Sequence, residues 1–81
     1  VNAPVLSISV TGSTATLNWT TISSANHYFV YQDGIFIQQV SDGVTLDVEI
    51  GTDSEKCFTV TAVDEYDTES DPSNEECGTG S

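Results

Sequence analysis

Apolar and polar side chains alternate with a period of two residues in several short stretches of the chain, and no stretch keeps a period of 3.6. The first alternating stretch is Val5 to Val10 and the second is Thr14 to Thr20. Further strands are predicted at His27 to Tyr31, where every residue is apolar or amphipathic, and at Ile35 to Val40, Thr45 to Ile50, Cys57 to Val63 and Ser73 to Cys77. Short alternating segments rich in Val, Ile, Thr and aromatics are typical of β-strands. The pattern predicts an all-β chain.

Turn-forming residues separate these stretches. Gly12-Ser13 follows the first, and Asp33-Gly34 lies between the third and fourth, where glycine supplies the positive φ that a tight hairpin turn requires. Two further turns are expected, at Ser41 to Gly43 and at Gly51 to Asp53. Seven short strands at spacings of roughly ten residues predict a two-sheet antiparallel sandwich with Greek-key connections.

The expected core consists of the inward-facing residues of the central strands. Trp19 is its anchor, because a large aromatic side chain buries on the order of 200 Å². The predicted core residues are Leu17, Trp19, Tyr28, Val30, Phe58, Val60 and Ala62.

The length of 81 residues corresponds to a single domain with a thin core, because a chain of this size buries only about 60% of the surface that its unfolded form exposes. Its two cysteines, Cys57 and Cys77, and its single histidine, His27, cannot supply the four ligands of an ordinary zinc site. A disulfide is therefore favoured over a metal site, and also over a redox-active thiol pair, whose cysteines usually stand two residues apart. Structural disulfides belong to oxidising compartments, so the sequence predicts a secreted or cell-surface protein.

The charge balance excludes several classes of partner. Thirteen acidic residues stand against one basic residue, Lys56, and the formal net charge is −12. Such a surface repels the phosphates of nucleic acid and of anionic membranes. No apolar run reaches the roughly 20 residues that span a bilayer, so membrane insertion is not expected. The charged partners that remain are cations or a basic protein face, although solubility alone is a sufficient reason for the acidity.

The order and spacing of several motifs resemble the fibronectin type III family over nearly the whole chain. The residues that carry this resemblance are Ala3-Pro4, Leu17 with Trp19, Tyr28 to Gly34, Phe58 to Asp64, and Glu69 to Glu75. The turn and the last strand resemble bacterial members more than animal ones. The resemblance implies an immunoglobulin-like, seven-stranded antiparallel β-sandwich for residues 1–77. The small polar residues 78–81 are typical of a linker and are expected to lie outside the fold.

Cys57 and Cys77 resemble a bacterial variant of the family in which these positions form a disulfide between the last two strands. Neighbouring antiparallel strands bring α-carbons within the range that a disulfide bridges. Lys56 departs from the family pattern, because it stands where the family has a tyrosine whose hydroxyl fixes the preceding corner. We expect the disulfide one residue later to compensate for the missing tyrosine.

The sequence contains no recognisable catalytic motif. His27 is the only side chain whose ordinary pKa suits a general base at neutral pH, and no cysteine or serine motif lies near it in the sequence. We therefore expect a surface or strand-edge histidine, no enzyme activity and no cofactor.

Two groups of residues are candidate binding sites, and each has a plainer alternative. Phe29, Tyr31 and Phe36, called here the aromatic strip, are positioned to stack on sugar rings or to pack against neighbouring strands or an adjoining domain. A carboxylate-rich loop offers oxygen ligands for a weak calcium site, or is simply solvated. The acidic residues of this loop are Asp64, Glu65, Asp67, Glu69 and Asp71.

The resemblance implies a non-catalytic accessory or spacer module of a larger secreted or surface-anchored bacterial protein, such as a polysaccharide-degrading enzyme or an adhesin. The alternative is a module that binds a protein or a carbohydrate through its loops or through the aromatic strip. The expected partners are the neighbouring domains of the parent chain, with a protein or glycan ligand as the further possibility. An odd number of strands places the two ends at opposite poles, which suits a spacer.

Overall fold

The computed structural model describes residues 2–41, 43–53 and 55–80. Over these residues the chain forms seven β-strands and no helix, which confirms the all-β prediction. The strands are β1 (Leu6–Thr11), β2 (Thr14–Trp19), β3 (His27–Gln32), β4 (Ile35–Val40), β5 (Thr45–Glu49), β6 (Lys56–Val63) and β7 (Glu76–Gly78). Asp42, in the expected turn from Ser41 to Gly43, lies outside the described residues.

The strands form two antiparallel sheets. One has the order β1-β2-β5 and the other has the order β4-β3-β6-β7. The predicted hairpin between β3 and β4 turns at Asp33 and Gly34, whose φ angles of 52° and 83° are the two positive values that a type I′ turn needs. Asp33 also ties this turn to the start of β6, because its carboxylate accepts a hydrogen bond from the Cys57 N–H at 3.2 Å. The seven-stranded antiparallel sandwich is thus confirmed.

The core lies between the two sheets. The structure buries all seven predicted core residues, and the most exposed of them, Tyr28, keeps only 7% of its surface. The rings of Trp19 and Tyr28 meet at a centroid distance of 5.7 Å, and the Tyr28 hydroxyl accepts a hydrogen bond from the Ile22 N–H. Within the described part of the chain, the buried indole nitrogen of Trp19 has no hydrogen-bond partner. Leu6, Ala15, Val40 and Ile50 complete the buried cluster.

Two serines, Ser70 and Ser73, form hydrogen bonds with the backbone of β6 along the edge that faces away from β3. Ser70 donates its N–H to the Ala62 carbonyl and accepts the Ala62 N–H on its hydroxyl, at 2.7 and 2.9 Å. Ser73 makes the same pair of contacts with Val60, at 2.8 and 2.9 Å. The two serines therefore satisfy backbone groups of β6 that a full strand would otherwise pair.

The last strand differs from its predicted bounds. It was expected over Ser73 to Cys77, whereas β7 comprises Glu76–Gly78. Pro72 has no N–H to donate to a ladder, and the Ser73 hydroxyl takes the place of a backbone carbonyl, so regular pairing begins only after both residues.

We expect Ser73→Ala to lower the free energy of unfolding by about 1–3 kcal/mol, because it leaves the buried Val60 N–H without an acceptor. Chemical denaturation followed by circular dichroism measures this loss. Ser24→Ala, at an exposed loop position, is the control and should change stability by less than about 0.5 kcal/mol. Equal stability of the two variants would show that the Ser73 hydroxyl does not support β6.

The C-terminal glycines pack against the opposite sheet and its turns. A Cβ on Gly78 would lie 2.6 Å from a methyl of Val10, and one on Gly80 would collide with the Gly51 carbonyl. Gly78 was expected in a linker, whereas it is the last residue of β7, and Gly80 is buried. Their lack of a side chain is what lets the chain pass so closely. Ser81 of the same segment lies outside the described residues.

The two ends of the described chain lie at opposite poles. Leu6 begins β1, whereas Gly80 lies beside Gly12, which follows the other end of that strand. The principal extents are 39 × 20 × 17 Å, so the poles are the ends of an elongated body. A chain entering at one pole therefore leaves at the other.

Candidate functional site

The outer face of the four-stranded sheet carries the aromatic strip. Phe29 and Tyr31 alternate along β3 with the buried Tyr28 and Val30, so they project outward. Phe36, the register partner of Tyr31 on β4, packs edge-on against both rings, with centroid distances of 5.3 Å to Phe29 and 6.0 Å to Tyr31. The structure thus brings the three predicted residues together as one surface.

His27 extends this surface at one end. Its ring lies 5.2 Å from that of Phe29, and its Nδ1 is 3.2 Å from the side-chain oxygen of Asn26. His27, expected to be a surface or strand-edge histidine, is thus also a neighbour of the aromatic strip. The alternation of outward residues at 27, 29 and 31 was the signal that would have placed it beside the aromatic strip.

Strand β4 lies at the edge of the sheet and leaves apolar side chains in solvent. Val30 pairs with Gln38 and Tyr31 pairs with Phe36, so Ile37 is the extra residue of a β-bulge. Ile35 and Phe36 are 69% and 50% exposed. Apolar surface grouped in this way is typical of an interaction site.

A groove of about 330 Å³ runs beside the aromatic strip. Its floor is formed by Tyr31 on β3 and by Thr59 and Thr61 on β6, and its wall is the segment from Glu69 to Pro72. The wall stands where it does because Ser70 is bonded to β6 through both its backbone and its hydroxyl. The groove therefore has a rigid polar side and an aromatic side.

Glu69 links the two sides of the groove. One of its carboxylate oxygens accepts hydrogen bonds from the Tyr31 hydroxyl and from the Thr61 hydroxyl, both at 2.6 Å. The hydrogen bond to Glu69, together with burial and the carboxylate charge, raises the pKa of Tyr31 above its usual value. The hydrogen bond from the Tyr31 hydroxyl holds the Glu69 carboxylate over the sheet.

The acidic loop does not gather its carboxylates around a common point. Asp64 accepts the N–H groups of Tyr66 and Thr68 on one side-chain oxygen, both at 2.9 Å, which closes the loop on itself. Glu69 is turned toward Tyr31 instead. The sequence-based calcium candidates Asp64, Asp67, Glu69 and Asp71 are thus not brought together, because two of the carboxylates serve as acceptors for the fold.

The disulfide between Cys57 and Cys77 is present, as the resemblance implied. The two residues are direct register partners on β6 and β7. Among the described residues, the one group of three potential metal ligands in mutual reach is Glu55, Cys57 and Cys77, and its two sulfurs are joined to each other. A disulfide sulfur is not the thiolate that metals bind, so this group is a structural cross-link.

No helix in the described ranges is long and apolar enough to cross a membrane.

No protein-family model and no curated protein matches the sequence. Solved structures do match it. An Fn3-like protein from Clostridium thermocellum is 26% identical, with a TM-score of 0.80, over 91% of this chain and 86% of that one. A β-1,2-glucanase from Parabacteroides distasonis is 25% identical, with a TM-score of 0.77, over 98% of this chain. A family 28 exopolygalacturonase from Yersinia enterocolitica matches at 16% identity, with a TM-score of 0.85, over 99% of this chain.

The chain is similar to only a small part of each enzyme. It covers 12% of the glucanase chain and 20% of the exopolygalacturonase chain. By contrast it covers most of the Fn3-like protein. The region of similarity is therefore one module of those larger chains, and their activities belong to the whole proteins.

Proposed function

Because the chain has the fold of a fibronectin type III domain, we propose that it is a non-catalytic accessory module that acts as a spacer in a larger secreted or surface-anchored bacterial protein. The observation that carries this proposal is the placement of Leu6 and Gly80 at opposite poles of a 39 Å body. When a chain enters such a body at one pole and leaves at the other, the length of the body separates the domains on either side of it.

The disulfide supports an extracellular location. A cross-link between β6 and β7 persists in an oxidising compartment and is reduced in the cytosol. The net charge of −12 keeps such a module soluble and repels other copies of it. Partners of the spacer are the domains that precede and follow it in the parent chain.

The polar groups of the groove support a non-catalytic role. A general base must be free to take a proton from a substrate. One oxygen of Glu69 is instead already shared between the Tyr31 and Thr61 hydroxyls. These groups are suited to holding a surface in place.

The test is a domain exchange in the full-length parent protein. One variant replaces residues 2–80 with an unrelated seven-stranded sandwich of equal length, and a second replaces them with a short Gly-Ser linker. We expect the activity of the remaining domains on a small soluble substrate to be retained in the first variant. The distance between the flanking domains, measured by small-angle scattering, should be retained in the first variant and lost in the second.

Loss of that soluble-substrate activity in the equal-length exchange would contradict a spacer role. Turnover of any substrate by the isolated domain would contradict the non-catalytic part of the proposal.

A further inference from the structure

We propose that the outer face of the four-stranded sheet binds a polysaccharide that carries free amino groups, with the aromatic strip against the sugar rings and Glu69 as the partner of an ammonium group. This site goes beyond the spacer role, which requires no ligand.

The aromatic strip offers the kind of surface on which sugar rings stack. Phe36 is half exposed, and Phe29 and Tyr31 lie partly buried on either side of it in edge-on contact. These contacts fix the rings in place, so little side-chain entropy is lost when a ligand covers them. A rigid row of aromatics in solvent matches a ligand that is flat and apolar on its faces and polar at its edges.

The groove supplies the polar partners that such a ligand needs. Thr59 lies along its floor, and Glu69, held by the hydroxyl of the buried Thr61, presents a carboxylate at its wall. Because the core of a protein interface is depleted of charge, a carboxylate set among aromatic rings fits a sugar chain better than an apolar protein partner.

Charge complementarity decides which polysaccharide fits. The chain has 13 acidic residues and one basic residue, so an acidic glycan is repelled. An ammonium group is attracted by this field at long range, by the Glu69 carboxylate at the wall, and by the faces of the aromatic rings at close range. A glucosamine chain combines all three interactions with stacking of its rings.

The first experiment measures binding to the isolated domain, which is the protein as described. Isothermal titration calorimetry at physiological salt compares a hexamer of β-1,4-linked glucosamine with the fully N-acetylated hexamer and with cellohexaose. We expect the glucosamine hexamer to bind at least tenfold more tightly than either neutral hexamer. Equal affinity for the acetylated hexamer, or no binding of the glucosamine hexamer at millimolar concentration, would overturn the proposal.

Variants separate this site from general attraction between a polyanion and a polycation. Phe36→Ala should weaken binding by about fivefold, because one exposed ring and its cation–π contact are lost. Tyr66→Ala is the matched control, since Tyr66 is 79% exposed on the acidic loop and its removal also leaves the charge unchanged. Equal affinities of the two variants would place the ligand elsewhere.

Glu69→Gln tests the carboxylate, with Glu75→Gln as the control for the same change of net charge at another exposed position. We expect a larger loss of affinity from Glu69→Gln, and thermal unfolding checks that both variants remain folded. Equal losses would indicate unspecific electrostatic attraction and overturn the site. Failure of binding would not contradict the spacer role. The domain exchange that tests the spacer role measures activity on a small soluble substrate, and that activity does not require the outer face of the four-stranded sheet.

Discussion

Phe58→Ala is expected to lower the free energy of unfolding by about 3–5 kcal/mol, the cost of removing a large buried ring and leaving a cavity. Phe58 is fully buried on β6, among the residues that join the two sheets. Domains of this size have total stabilities of about 5–15 kcal/mol, so the variant should be partly or wholly unfolded at 37 °C. Urea denaturation followed by the fluorescence of Trp19 measures the loss.

Phe36→Ala is the matched control for this prediction. It removes the same ring from a position that is 50% exposed on the edge strand β4, where solvent fills the space. The expected loss is below about 1 kcal/mol, as for most surface substitutions. If both variants lost stability equally, the core would not lie between the two sheets as described.

Loss of the disulfide is expected to destabilise the domain by about 3 kcal/mol, because Cys57 and Cys77 close a loop with a sequence separation of 20. For a domain of this size that corresponds to a fall in melting temperature of roughly 12–24 °C. Thermal unfolding followed by circular dichroism, with and without dithiothreitol, measures the fall.

The double variant Cys57→Ser with Cys77→Ser is the control for reduction. It should melt like the reduced domain and should not respond to dithiothreitol. The same measurement tests whether the cross-link compensates for Lys56 in the place of a corner tyrosine. An unchanged melting curve on reduction of the native domain would contradict that compensation.

The strands of the sandwich were predictable because the alternation of side chains is a local property of the sequence. A residue such as Leu17 or Trp19 is assigned to the inner face by its polar immediate neighbours alone. The Asp33-Gly34 turn was predictable for the same reason, since its two positive φ angles are a property of the two residues themselves.

The edge of β6 was not predictable, because the two serines act at long range. Ser73 bonds to Val60, 13 residues away, only because the chain returns along β6 in one particular register. A hydroxyl that substitutes for a backbone carbonyl leaves no trace in a pattern of apolar and polar positions. The bounds of the last strand were therefore wrong, although its pairing partner was correct.

The geometry of the acidic loop was not predictable for a related reason. Five carboxylates within a short stretch suggest a common ligand, whereas the backbone sends Asp64 into its own turn and Glu69 across the sheet to Tyr31. The residues of the aromatic strip lie together because they are outward residues of two strands joined by a tight hairpin. The groove beside it depends on the wall from Glu69 to Pro72, which the alternation does not place.

The position of the disulfide determines how the domain responds to a pulling force. A load applied at Gly80 reaches Cys77 and passes through the sulfurs to Cys57, which bypasses the segment between them. That segment, with a sequence separation of 20, cannot lengthen, so the fully stretched chain is shorter by roughly 70 Å than without the cross-link. Glu69, Ser70 and Pro72, which form the groove wall, all lie within this segment. Their backbone therefore bears no load while the disulfide is intact.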